Sequence, residues 1–217
     1  MLTRMLIVAA LATASSLPII EVPARTTAPT PRFAVLISGD GGWAKIDQSI
    51  SEHLAANGIP VVGLNSLQYF WTKRAPETLA HDVAMLIEKY SARWNAHDVL
   101  LIGYSRGADV LPFAVSRLPD AVRRRVALVA LLSPSKSATF EFKVTDWFKA
   151  RNGVPVRPEI DKLRGTKTIC VYGTDDRDTV CTDVDARIAR PIPLSGSHHF
   201  DRDYDALAKI ITSQVGQ

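Results

Sequence analysis

The chain has 217 residues, 47% of them hydrophobic and 22% charged. This is a globular balance with room for one domain and a sizeable core, and it excludes wholesale disorder. The formal charge of +4 suits an acidic substrate or an anionic membrane surface. No dense Lys/Arg block with interleaved aromatics is present, which argues against nucleic acid as a partner.

The N-terminus reads as a leader. Arg4 precedes the apolar run LIVAALATA, and Ala12-Thr13-Ala14 has the small-x-small form of a cleavage site, so residues 1–14 are expected to be a signal peptide cut after Ala14. The run is too short for a comfortable transmembrane helix. The Pro-, Thr- and Ala-rich stretch 15–31 then reads as an extended linker, leaving a single domain over 32–217. Export favours a disulfide between Cys170 and Cys181, the only two cysteines.

From Arg32 onward, strand-like and helix-like segments alternate. FAVLIS (33–38) and IPVVGL (59–64) are apolar and strand-like, and between them 46–58 has Ile46, Ile50, Leu54 and Ala55 on one helical face. Residues 76–94 begin with Pro76 and align Leu79, Val83, Leu86, Ile87 and Tyr90 on another such face. DVLLIG (98–103) is a strand and 106–118 a helix, with Pro112 expected to kink it or mark where its regular part begins. VALVALL (126–132), KTICVYG (167–173) and ARPIPL (189–194) are three more strands, and 203–215 is the last helix. Strands apolar on both faces, alternating with helices, imply a mainly parallel sheet covered on both sides. Residues 135–165 break the rhythm, as either a lid above the sheet or a surface loop with one short hairpin. Arg123, Arg124 and Arg125 fall between a helix and a strand, where a solvated turn is expected.

Gly103-Tyr104-Ser105-Arg106-Gly107 matches G-x-S-x-G between a strand and a helix. That context separates a nucleophile elbow from an ordinary turn whose serine caps the helix. A nucleophilic serine needs a base, and the base an orienting acid, in the chain order Ser, Asp, His. YGTDDRD follows one late strand and offers Asp175, Asp176 and Asp178, while LSGSHHF follows the next and offers His198 and His199. Counting G-x-x-D from Gly173 selects Asp176, with Asp178 as alternate; counting G-x-x-H from Gly196 selects His199, with His198 as alternate. No zinc or EF-hand spacing fits these residues, so neither a metal nor another cofactor is expected. SGDGGW (38–43) lacks nucleotide-binding spacing and suits an oxyanion loop, with the Asp40 or Gly41 N–H acting beside that of Arg106. Trp43 at its end, and Tyr69 and Trp71 in LQYFWTK, are candidate pocket walls.

SGDGGW, GLNSLQYFW, GYSRGADVLPF and SGSHHFDRDY together resemble the bacterial virulence protein family of VirJ and the carboxyl-terminal domain of AcvB. The resemblance implies an α/β-hydrolase-like domain exported to the periplasm. It also implies hydrolysis of the aminoacyl ester of lysyl-phosphatidylglycerol and an association with type IV secretion. The expected architecture is a compact α/β-hydrolase fold of six mainly parallel strands in the order 2-1-3-4-5-6, with helices on both faces and without the first antiparallel hairpin. A serine ester hydrolase is the leading expectation. A non-catalytic adaptor for secretion or envelope proteins is its rival, because a fold does not fix a function.

Overall fold

The computed structural model describes residues 16–26, 30–142 and 153–215. The expected leader, and residues 143–152 of the segment read as a lid or a surface loop, lie outside this set.

Seven strands form one sheet in the order β1-β3-β2-β4-β5-β8-β9. Its parallel body comprises β2 (Arg32–Ile37), β3 (Val61–Leu64), β4 (Asp98–Tyr104), β5 (Val126–Leu132), β8 (Thr168–Gly173) and β9 (Arg190–Leu194). These are the six strands read from the sequence, in the expected order. The addition is β1 (Ile19–Val22), which pairs antiparallel with β3 inside the stretch expected to be linker. The reason is physical: without it β3 would be an unprotected edge, and IIEV between Pro18 and Pro23 is extended enough to cover it.

The period-2 alternation of the strands feeds two cores. Val99 and Leu101 of β4 face one, while Leu100 and Ile102 face the other. α3 (Pro76–Trp94) and α4 (Arg106–Val115) cover the first, and α1 (Lys45–Ala56) and α7 (Tyr204–Ser213) the second. The short α2 (Ser66–Tyr69) and α5 (Asp120–Arg123) add Tyr69 and Val122 to the first. α4 runs through Pro112 without ending there. The irregular region carries the expected short hairpin, β6 (Ser137–Ala138) with β7 (Val154–Pro155), followed by the unanticipated α6 (Arg157–Asp161). Among the described residues no helix is long and apolar enough to cross a membrane.

Candidate active site

The strands run parallel, so the turns that leave their carboxyl ends gather at one edge of the sheet. Ser105 stands where β4 passes into α4, with φ 51° and ψ −119°. A non-glycine residue pays roughly 1–3 kcal/mol for such a conformation, which packing must hold in place. The flanking glycines make that packing possible. A Cβ at Gly107 would lie 2.0 Å from the Ile37 carbonyl oxygen, and one at Gly103 would lie 2.4 Å from that of Gly107. Only hydrogen at both positions lets helix, elbow and neighbouring strand close on each other.

The acid and base loops are joined backbone to backbone. Thr174 N–H donates to Leu194 O and Asp175 N–H to Gly196 O, each at 2.9 Å. A Cβ at Gly173 would strike the Ser197 carbonyl oxygen at 2.1 Å. Asp176 is nearly enclosed, its carboxylate accepting from His198 Nδ1 at 2.9 Å and from the Asp178 backbone N–H at 3.2 Å. His198 Nε2 lies 2.9 Å from Ser105 Oγ. A continuous Ser105–His198–Asp176 chain results, with Nδ1–H donating to the acid and the serine hydroxyl donating to Nε2. Such a chain can transfer the serine proton to the imidazole while the carboxylate fixes the ring. A disulfide between Cys170 in β8 and Cys181 closes the loop that bears Asp176.

The histidine selected by spacing is corrected here. His199 does not reach Ser105; its Nδ1 pairs with the Tyr104 hydroxyl at 2.6 Å, and the alternate, His198, faces the serine. The chain leaves β9 through Gly196 at φ 96° and then turns left-handed through Phe200, Asp201 and Arg202. This tight path brings forward the second residue after the glycine, not the third. Burial, reinforced by Tyr204 and the carboxylates of Asp47, Asp40 and Asp176, pushes the Tyr104 phenol upward, so it remains an O–H donor. Tyr104 and His199 flank the His198 ring at centroid distances of 5.8 and 5.6 Å. Of the other aspartates, Asp178 is among the residues lining the pocket and Asp175 is exposed.

The pocket above Ser105 holds about 910 Å³. Asp40 and Gly41 of the glycine-rich loop form one wall. Arg106 is the first residue of α4, directly after Ser105. Its side chain is buried and turns away, Nη1 donating to Thr139 Oγ1 at 2.9 Å and Glu141 O at 3.1 Å. The rest of the lining mixes apolar and polar groups and includes Lys45, Ser135, Ser137 and Tyr204, none of which the motif spacing identified. One signal was available for Ser135. Asp109, an acid inside the apolar helix that follows the elbow, is buried and accepts from the Ser135 N–H at 2.6 Å.

The three aromatic candidates are corrected together, because none lines this pocket. Trp43 packs over Gly63, where a Cβ would meet its ring at 2.1 Å. Tyr69 is buried and donates its hydroxyl to Asp82 Oδ2 at 2.6 Å. Trp71 is 66% exposed and stacks on Phe142 at 5.8 Å. Runs of aromatics divide between core and surface by the local turn, here α2, which their order in the sequence does not display. Among the described residues no three His, Cys, Asp or Glu side chains are arranged to hold a metal ion.

Comparison with known proteins agrees with this architecture. Solved structures of similar fold include Est1E from Butyrivibrio proteoclasticus, with a TM-score of 0.65 and 12% identity, covering 92% of this chain and 94% of that one. An alpha-beta serine hydrolase homologue from Coxiella burnetii matches at TM-score 0.65 and 13% identity over 91% of both chains. The fold is therefore that of the α/β hydrolases. In sequence, the chain is 29% identical over 144 residues to carboxylesterase Culp1 of Mycobacterium tuberculosis and Mycobacterium bovis, covering 66% of this chain and 61% of those relatives. The model of the family described as bacterial virulence protein (VirJ) matches residues 31–217, and the chain belongs to that family.

Proposed function

We propose that this protein is a serine ester hydrolase acting through Ser105, His198 and Asp176. The observation that carries the reading is the unbroken chain of two 2.9 Å contacts from Ser105 Oγ through His198 to Asp176. His198 Nε2 takes the proton as Oγ bonds to the ester carbonyl carbon. The oxyanion forms beside the Arg106 N–H and that of Asp40 or Gly41, at the positive end of α4. The tetrahedral intermediate then breaks its bond to the alcohol oxygen, which leaves with the proton from His198. Water, deprotonated by the same imidazole, attacks the acyl-enzyme; the acid is released and Ser105 recovers its proton.

The pocket lining bears on the substrate. Beside apolar surface at Ala44 and Ile46 and one cation, Lys45, it carries carboxylates at Asp40 and Asp178 and hydroxyls at Ser135, Ser137 and Tyr204. The two carboxylates and three hydroxyls suit an ester with a polar or cationic acyl group. This supports an aminoacyl ester, and the resemblance stated above directs it to lysyl-phosphatidylglycerol. The leader-like N-terminus and the disulfide support a periplasmic site of action. Trp71, exposed and stacked on the half-buried Phe142, favours a second reading, a partner-binding adaptor for secretion or envelope proteins.

Labelling by a fluorophosphonate probe separates the two. Folded wild-type protein is expected to label and Ser105→Ala not to, with ester hydrolysis falling at least roughly 10³-fold in the variant. Absence of labelling in folded wild-type protein overturns the enzyme reading and leaves the adaptor.

A further inference from the structure

The opposite edge of the sheet carries a second concavity. It holds about 380 Å³ and is formed where α5 leads into β5 and where the turn after α6 leads into β8. These are the amino ends of the strands, so a strand's length, on the order of 20 Å, separates the site from Ser105.

Four cations, Arg123, Arg124, Lys162 and Arg164, line it against one carboxylate, Asp120. Arg123 Nη2 donates to Lys162 O at 2.9 Å and ties the two segments together. Lys162 Nζ is held by Glu159 Oε1 at 2.7 Å. Neither Arg124 nor Arg164 takes part in a salt bridge among the described residues. The carboxylate that Arg164 influences, Asp185, is already bound by Arg187 at 2.8 Å. Both arginines are exposed. Gly165 sits between them and β8 at φ 85°, with nothing within 4 Å of where a Cβ would be, so the backbone there is open to a ligand.

We propose that this concavity binds a phosphate-bearing anion at a site separate from the reaction centre. Like charges sharing one hollow repel, and an anion with several oxygens offsets that repulsion. Two guanidinium forks match the spacing of phosphate oxygens, which a single ammonium does not. The volume exceeds what one phosphate fills and accommodates a diphosphate or a phosphodiester headgroup. This inference does not depend on the proposed hydrolysis.

The test is calorimetric titration of the protein with inorganic pyrophosphate, run beside sedimentation with vesicles of phosphatidylglycerol or of phosphatidylcholine alone. Pyrophosphate binding that weakens with added salt identifies a soluble phosphate ligand. Binding to phosphatidylglycerol vesicles but not to phosphatidylcholine identifies a lipid headgroup. In either case the double variant Arg124→Ala/Arg164→Ala is expected to weaken binding at least tenfold, with hydrolysis of a small soluble ester unchanged. Wild-type protein that binds neither pyrophosphate nor phosphatidylglycerol overturns the proposal. So does a folded double variant that binds as the wild type does.

Discussion

The two sides of the pocket are built by different means. On one side the loops after β8 and β9 are joined by backbone hydrogen bonds and by the close approach at Gly173, and the Cys170–Cys181 bridge closes one of them. On the other, backbone bonds such as that from the Phe142 N–H to Phe70 O at 2.7 Å are supplemented by side-chain struts, with Asp47 on the Ala44 N–H and Arg106 on Thr139 and Glu141. Backbone pairing fixes a position to within a turn. Side-chain struts depend on which groups happen to meet, and they fail one at a time.

The largest effect tests the backbone-built side. His198→Ala is expected to lower kcat/KM by roughly 10³–10⁴-fold, whereas His199→Ala, which removes only a neighbour of the base, costs about tenfold or less. Steady-state kinetics on one soluble ester with both purified variants checks this. A reversed ranking would return the base to His199 and contradict the 2.9 Å contact at Ser105.

These histidines also show how far sequence reached. G-x-S-x-G, the three late strands and the Ser, Asp, His order are local patterns, and each located its element. The parallel, doubly covered sheet followed from alternation and from apolarity on both faces, while its strand order was what the resemblance to α/β-hydrolases implied. What spacing did not contain is the φ of Gly196 and the left-handed turn after it, which bring His198 forward rather than His199. Trp43, Tyr69 and Trp71 were misplaced for a related reason: an aromatic's partner, whether Gly63, Asp82 or Phe142, is set by tertiary packing. β1 was hidden because an edge strand of four residues has the composition of a linker.

On the other side, Asp47 offers a measurement of cost. Burial pushes its carboxyl up to about 7, against the lowering effect of the Ala44 N–H. Its folded value lies above the unfolded one, so the native state binds the extra proton between about pH 4 and 7 and stability declines as pH rises through that window. Three pH units correspond to at most about 4 kcal/mol. Asp47→Asn keeps an acceptor for Ala44 and cannot ionise. Urea unfolding at pH 5 and pH 8 is expected to show a wild-type loss at the higher pH that the variant lacks. Equal pH dependence in both would mean that Asp47 is hydrated and ordinary.

The disulfide comes next in size. Cys170→Ala/Cys181→Ala is expected to lose about 2–3 kcal/mol of stability. It should also lose several-fold in kcat while still folded, because the closed loop carries Asp176 and the acid orients His198. Parallel unfolding curves and kinetics below the transition distinguish the two effects. Full activity in the folded double variant would show that the backbone bonds alone position the acid.

The smallest effect concerns Arg106, whose two contributions can be separated. Its backbone N–H belongs to the proposed oxyanion site and survives any substitution except proline. Its side chain is the strut that holds residues 139–141 against the elbow, with Phe142 packed over the guanidinium at 5.7 Å. Arg106→Met keeps the length and apolar bulk and removes the donors, leaving the Glu141 carbonyl without that partner. If the strut shapes the pocket, the segment around Thr139 should become a faster site of limited proteolysis. KM for a bulky ester should then rise about two- to fivefold while kcat for a small one holds, a loss of about 1 kcal/mol or less of binding. A fall in kcat for the small ester with KM unchanged would mean that the side chain acts on the reaction centre itself. In that case the wall and the acid–base loops would form one mechanical unit and not two.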